Sequence, residues 1–265
     1  MTKEASRFVG SIPEHYDAGL GPHIFEGFAE DLSRRVAALM PGSVVELAAG
    51  TGIVTRRLRH ALPETCDLLA SDLNQPMLDF ARAKFDEGER VGFEVADATD
   101  LPWEDERFDV VTCQFGVMFF PDKPRSYAEA RRVLRSGGHY LFNVWDAWPF
   151  NAFAEITHEV VAGFFPEDPP GFYRVPFGYH EVEVIRRSLL DAGFRAVSAE
   201  TVPLTAAIPS ADLFARGLVF GNPLFQEIEQ RGGDADAIRA AVSHAIATRL
   251  GGEMQIRAII VHAEN

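Results

Sequence analysis

"VVELAAGTGIVTRRL", Val44 to Leu58, decides how the rest of the chain is read. An apolar run stops at two spaced glycines, Gly50 and Gly52, and the chain resumes with apolar residues at helical spacing. That pattern is a strand, a glycine turn and a helix. Such a turn has two uses. It is a tight corner, or it brings the backbone close to a ligand while the helix start aims unpaired N–H groups and a positive dipole end at it.

The surrounding sequence repeats the rhythm. Before the turn, Phe25, Phe28, Leu32, Val36 and Leu39 recur at three- and four-residue steps, which predicts a helix within 22–39. After it, "CDLLASD" reads as a buried strand ending in Asp72, with Asn74 as a candidate N-cap and Pro76 in the first turn of "QPMLDFARAKF". "VGFEVAD" is a third strand and "FDVVTCQFG" a fourth. "YAEARRVLR" is a helix ending at Gly137 and Gly138, before a fifth strand, "HYLFNVWD". Short apolar strands alternating with helices predict an α/β fold, a mostly parallel sheet with helices on both faces.

Beyond Trp145 the rhythm breaks. Residues 147–180 are rich in proline and aromatics around a short helical pattern and read as a lid. A helix "EVEVIRRSLLDAGF", a strand "RAVSAETV", a mostly helical stretch 210–250 and a last strand "MQIRAIIVHAE" follow. With no fixed repeat, low-complexity segment or linker, the expectation is one domain over 1–265, with a helical N-terminal cap at 1–40 and cap or lid insertions at 147–180 and 203–252.

Composition narrows the function. Of 265 residues 47% are hydrophobic and 24% charged, an ordinary globular balance, but 21 are phenylalanine, a surplus that must be buried or line a pocket. A net charge of −14 leaves little basic surface for phosphate backbones, so a small-molecule partner is expected and a nucleic-acid partner is not. "MTKEASRFVGSIPEHYD" lacks a signal-peptide core, and no apolar run is long enough to cross a bilayer. The reading is a cytoplasmic protein with no membrane partner, a monomer or homodimer. Cys66 and Cys113 have no disulfide or metal-ligand spacing, and no metal set is expected.

The acidic residues around the turn discriminate between nucleotide cofactors. Asp72 ends the strand after the turn, 20 residues beyond Gly52, where a carboxylate can accept ribose hydroxyls. The dinucleotide fingerprint would need glycines where Ala48 and Ile53 stand. Glu46 and Asp97 would repel a pyrophosphate and attract an ammonium or sulfonium cation. These features favour S-adenosylmethionine. An NAD(P)-dependent oxidoreductase and a non-catalytic S-adenosylmethionine-binding protein are the alternatives.

"VVELAAGTG", "SDLNQPML", "VADATDLPWEDERFDVVTCQFGVMFF" and "RRVLRSGGHYLFNVWD" occur in that order. Together they resemble the successive motifs of class I S-adenosylmethionine-dependent methyltransferases, and more narrowly the group that includes the ubiquinone and menaquinone biosynthesis enzymes. The resemblance covers about 40–146. It implies a Rossmann-like seven-stranded sheet whose last strand is antiparallel. It also implies that Glu46 and the turn Ala48, Gly50, Thr51 and Gly52 hold the methionine part, with Asp72 on the ribose and Leu73 and Met77 beside the adenine. Asp97 and Ala98, with Thr99 next to them, would meet the adenine edge. Cys113, Gln114 and Phe115 would close over the methionine amino end, and Tyr16 would fold over the cofactor. Ala48 departs from the family's usual glycine.

A sulfonium is already a good leaving group, so such an enzyme chiefly holds two reactants in line and dry. No fixed triad is required. If a base is needed, His180 is the candidate, with His15 and His23 as others. Phe115, Met118, Phe119 and Trp145 fall at the carboxyl edge of the expected sheet. With His15, Phe172, Tyr173, Phe177 and Tyr179 they are the candidate walls of an apolar acceptor pocket.

Overall fold

The computed structural model describes Phe8 and residues 12–265. Expectations placed on 1–7 and 9–11, the absent leader and the start of the N-terminal cap, lie outside the described residues. Strands β1 (Ser43–Glu46), β2 (Asp67–Asp72), β3 (Val91–Val95), β4 (Phe108–Gln114), β5 (Leu134–Trp145), β6 (Ala196–Ala207) and β7 (Glu253–Glu264) form one sheet in the order β3-β2-β1-β4-β5-β7-β6. The ladders from β3 to β5 are parallel, and β7 runs antiparallel to both β5 and β6. The last strand is therefore the reversed one. β1 is buried at every position, as a strand covered on both faces must be. β6 is an edge strand, which is where Pro203, with no N–H to donate, can be tolerated.

Because β1 leads to β2 and β3 on one side and β4 to β5 on the other, the crossing direction reverses between β1 and β4. A crevice opens at the carboxyl ends of strands at such a switch point. Helix α1 (Ile12–Gly19) and α2 (Glu26–Ala38) precede β1, α3 (Ile53–Ala61) and α4 (Gln75–Arg82) follow the first two strands, and α5 (Lys123–Val133) precedes β5. The expected helix 22–39 is divided: Gly21–Phe25, with Pro22 in its first turn, is a π-helical turn before α2. α5 starts four residues before the predicted "YAEARRVLR", because Asp122 caps it by accepting a hydrogen bond from Arg125 N at 3.0 Å and Pro124 fits its first turn. It ends at Val133, from which the chain passes directly into β5; Gly137 and Gly138 belong to that strand.

The lid region contains α6 (Ala152–Phe164), whose Phe153, Ile156 and Val161 are buried. Its root is fixed by Asn151, a fully buried amide that donates to Asp146 O and Arg257 O at 3.0 Å and accepts from Arg257 N at 3.0 Å. After α7 (Val182–Asp191) and β6, helices α8 (Ala211–Phe220), α9 (Leu224–Gln230) and α10 (Ala235–Arg249) complete the cap. α1 crosses α8 at a pair of glycines: a Cβ on Gly19 would lie 2.6 Å from Gly217 Cα. That contact lets the N-terminal helix lie backbone to backbone on the cap. None of the helices among the described residues is long and apolar enough to cross a membrane.

Candidate active site

The turn after β1 holds its shape by left-handed backbone at Ala48 (φ 53°), Gly50 (φ 58°) and Gly52 (φ 80°). Gly50 faces a cavity, and its N–H donates to Asp72 Oδ2 at 2.9 Å. Gly52 has a different task, since a Cβ there would lie 2.9 Å from Ala81 Cβ; its bareness lets α3 approach α4. Asp72 is buried at the end of β2. Its Oδ1 accepts from Asn74 N at 2.8 Å and Asn74 Nδ2 at 3.1 Å, so both oxygens are held in place from behind. Asn74 thus serves Asp72 and makes no side-chain cap for α4, contrary to the sequence expectation. Burial pushes the Asp72 carboxyl above its ordinary range, against the pull of these N–H donors.

The crevice at the switch point is a cavity of about 420 Å³. Of the sequence-predicted cofactor residues, Tyr16, Ala48, Gly50, Asp72, Leu73, Met77, Asp97, Ala98, Gln114 and Phe115 line it. Asp97 Oδ1 is tied by Thr99 N at 2.8 Å and Thr99 Oγ1 at 2.7 Å, so Thr99 shapes this carboxylate from outside the lining. Asp72 and Asp97 are the charged side chains of the described lining, and no basic one accompanies them. A cationic ligand is therefore favoured and a pyrophosphate, as in NAD, is disfavoured.

Several expectations are corrected. Glu46 does not line the cavity: it is fully buried, its Oε2 accepts from Thr55 Oγ1 at 2.6 Å, and burial raises its pKa to about 8. Thr51 and Cys113 are likewise buried beside the turn and outside the lining. Burial lifts the Cys113 thiol to about 12. His180 is not at the site; its Nδ1 lies 2.9 Å from Phe177 O, and its Nε2 faces Glu181 at 3.4 Å. His15 packs on the ring of Phe220, and the hydroxyl of Tyr179 pairs with that of Tyr127 at 2.9 Å; neither lines this cavity or the smaller chamber beside it. His23 Nδ1 is 3.0 Å from Ala207 O, a structural contact between the π-helical turn and β6.

The other aromatic candidates do meet. A second, tighter chamber of about 60 Å³ is lined by Met118, Phe119, Trp145, Phe172, Tyr173 and Phe177 among others. Phe115 stacks on Trp145 with centroids 3.9 Å apart and planes 7° apart, and Trp145 stacks on Phe177 at 5.6 Å. Phe8, Tyr16, Phe115 and Phe119 line both spaces, so the acidic cavity and the aromatic chamber share a wall.

Sequence reasoning missed residues that hold this wall. Asn143 Oδ1 accepts from Phe115 N at 3.0 Å while Asn143 Nδ2 donates to Gln114 Oε1 at 3.2 Å, fixing the loop after β4. The pinning matters because Phe115 sits at φ 51°, a conformation a bulky residue adopts only when its surroundings impose it. Phe120 and Asn74 also line the larger cavity and Asn222 the smaller one.

Comparison with known proteins agrees with this geometry. Residues 44–138 match a family described as a methyltransferase domain. The chain is 36% identical over 143 residues to the demethylmenaquinone methyltransferase of Thermotoga maritima, an alignment covering 52% of this chain and 60% of that one. It is 28% identical over 179 residues to the ubiquinone/menaquinone biosynthesis C-methyltransferase of Shewanella frigidimarina, covering 61% and 70% of the two chains. The fold resembles phosphoethanolamine N-methyltransferase 2 of Haemonchus contortus, solved with phosphomonomethylethanolamine and S-adenosylhomocysteine. That match has a TM-score of 0.63 at 15% identity over all of this chain and 61% of the other. Fold, glycine turn and the family match over 44–138 together support a resemblance to the class I S-adenosylmethionine-dependent methyltransferases. Within that class the chain resembles the ubiquinone and menaquinone methyltransferases.

Proposed function

We propose that the chain transfers the methyl group of S-adenosylmethionine to a small, ring-bearing apolar acceptor held in the aromatic chamber. The shared wall of Tyr16, Phe115 and Phe119 carries this reading, because it sets an acidic cavity suited to a cation edge to edge with an apolar one. The cofactor supplies the electrophilic methyl. Asp72 would accept from the ribose hydroxyls, with its carboxylate already oriented by Gly50 and Asn74. Asp97 would accept from the adenine amino group, Met77 and Leu73 would flank the base, and Gly50 would admit the methionine part. The names of its relatives, a demethylmenaquinone methyltransferase and a ubiquinone/menaquinone biosynthesis C-methyltransferase, support a planar aromatic acceptor.

No histidine or carboxylate lines the described part of the chamber. Tyr173 donates its hydroxyl to Leu218 O at 2.9 Å, and burial holds it well above its ordinary pKa. The acceptor must then bring its own nucleophile, an already ionised oxygen or a ring carbon activated by one, the ring proton passing to that oxygen on rearomatisation, and the chain contributes alignment and exclusion of water. The two cysteines are free and buried, which suits a reducing compartment, and this reading places the enzyme in the cytoplasm. The test is labelled-methyl transfer to a panel of hydroxylated aromatics, apolar aliphatics and polar amines. Turnover confined to the aromatics is expected, and turnover confined to polar amines would overturn the acceptor assignment.

A further inference from the structure

At the opposite edge of the sheet from the cavities, three potential ligands converge. His139 in β5 stands directly across from Glu264 in β7, and His262, two residues earlier in β7, projects from the same face as Glu264. His139 Nδ1 and His262 Nε2 are 3.0 Å apart, and one ligand atom from each of the three side chains lies within 4.8 Å of the others. The residues are far apart in sequence, so no spacing motif announces them.

We propose that His139, His262 and Glu264 form a binding site for a divalent transition cation of the zinc type. Two nitrogens on one tetrahedral zinc, each at about 2.0–2.1 Å, stand roughly 3.3 Å apart, so a few tenths of an ångström of side-chain movement separates the observed pair from a chelating one. Two imidazoles and one carboxylate are a borderline donor set that selects zinc, nickel or copper over magnesium or calcium, which prefer oxygen alone. The set supplies three ligands and leaves a fourth position for water.

The frame beneath the three side chains is rigid. Asn265 N donates to Gly138 O at 2.9 Å, Gly137 N to Asn265 O at 3.1 Å, and Arg195 N to Glu264 O at 2.8 Å. Asn265 Nδ2 also donates to Leu134 O at 3.0 Å and Arg135 O at 3.1 Å. The three Cα positions are thus fixed before a cation arrives, which is the condition for a site built on strands rather than loops. His262 is partly buried beside His139. The nearby guanidinium of Arg35 is engaged by Asp31 at 2.6 Å and Glu200 at 2.8 Å. On binding, the proton shared between the two rings moves to a nitrogen facing away from the cation, so both lone pairs point inward and no proton need leave a neutral pair. Bound there, the cation would clamp β5 to β7 at the end remote from the cofactor.

The test uses the full chain without a histidine tag, stripped with chelator and titrated with Zn²⁺ by calorimetry and with Co²⁺ by visible absorption. One equivalent should bind, with the absorption bands of a tetrahedral or five-coordinate Co²⁺ centre and a melting temperature that rises with Zn²⁺. His139→Asn and His262→Ala should each weaken binding at least tenfold, and Glu264→Gln by less. Circular dichroism verifies folding, and if His262→Ala fails to fold, His139→Asn decides alone. No stoichiometric binding by the folded wild type, or binding unchanged in a folded His139→Asn, overturns the site. S-adenosylhomocysteine affinity should be the same with and without Zn²⁺, so failure of this proposal leaves the methyl-transfer reading intact, and the reverse also holds.

Discussion

Ala48 and Gly116 share one space: a Cβ on Gly116 would lie 2.5 Å from the Ala48 methyl and 2.7 Å from Cys113 Sγ. Ala48 stands in left-handed backbone, and the absent side chain of Gly116 makes room for its methyl. Left-handed backbone costs a residue with a Cβ about 1–2 kcal/mol. Ala48→Gly should therefore leave stability unchanged or raise it. Gly116→Ala should lower it by about 1–3 kcal/mol through overpacking. The double variant should recover part of that loss, Cys113 accounting for the rest. Urea denaturation measures all three, and strictly additive effects would show that the two positions do not share the space.

Asp72→Ala removes the acceptor of the Gly50 N–H as well as the proposed ribose contact. S-adenosylhomocysteine affinity should fall by about 1–3 kcal/mol, the cost of leaving buried hydrogen-bonding groups unpaired. Isothermal titration measures it; an unchanged dissociation constant in a folded variant removes Asp72 from the cofactor site.

Glu46 is buried neutral at low pH. Its folded pKa, about 8, exceeds the ordinary 4.5, so its contribution to stability is fully present below 4.5 and is lost as pH rises toward 8. Asp72 shifts in the same direction. Glu46→Gln keeps an oxygen for Thr55 and cannot ionise. Its stability relative to the wild type should increase steadily between pH 5 and pH 8 in denaturation midpoints. A flat difference would mean that Glu46 is already ionised in the folded state.

His180→Ala should alter kcat/KM by no more than about twofold, the effect of roughly 0.5 kcal/mol expected of a side chain outside the site. A loss of several orders of magnitude would place a proton-transfer role where the structure shows contacts with Phe177 O and Glu181.

Phe177→Ala opens the aromatic chamber on the side away from the acidic cavity. The acceptor KM should rise by about 10–100-fold, the equivalent of one buried aromatic contact, while S-adenosylhomocysteine binding is unchanged. Steady-state kinetics and calorimetry on the same preparation separate the two effects. An equal loss in both would mean that the chambers are not functionally distinct.

The βα rhythm was legible because alternation of short apolar strands with helical patterns is a property of local sequence. Asp72 was legible for the same reason, lying at a strand end at a telling distance from the glycines. Glu46 was misplaced because β1 is buried on both faces, so a period of two has no polar side to reveal which way a residue points. Gly52 looked like a ligand contact, yet its neighbour is Ala81 in another helix, a long-range approach that no local pattern encodes. His180 and Tyr179 sat among true chamber residues in sequence, but Phe177 and Tyr173 turn inward while Tyr179 is held by Tyr127. Asn143 acts through bonds to a loop distant in sequence and Asn222 through bonds to Leu218 O and Leu224 N, and their type alone gives no hint of it.

The partition of the two chambers has an evolutionary corollary. Larger-cavity residues come from one contiguous stretch between β1 and Pro121, apart from Phe8 and Tyr16, whereas the smaller chamber draws chiefly on the lid and on residues that precede β1. Descendants could exchange the lid for another and acquire a new client while inheriting the donor machinery intact. Diversification would then proceed by changing the roof of the molecule, with its foundations untouched.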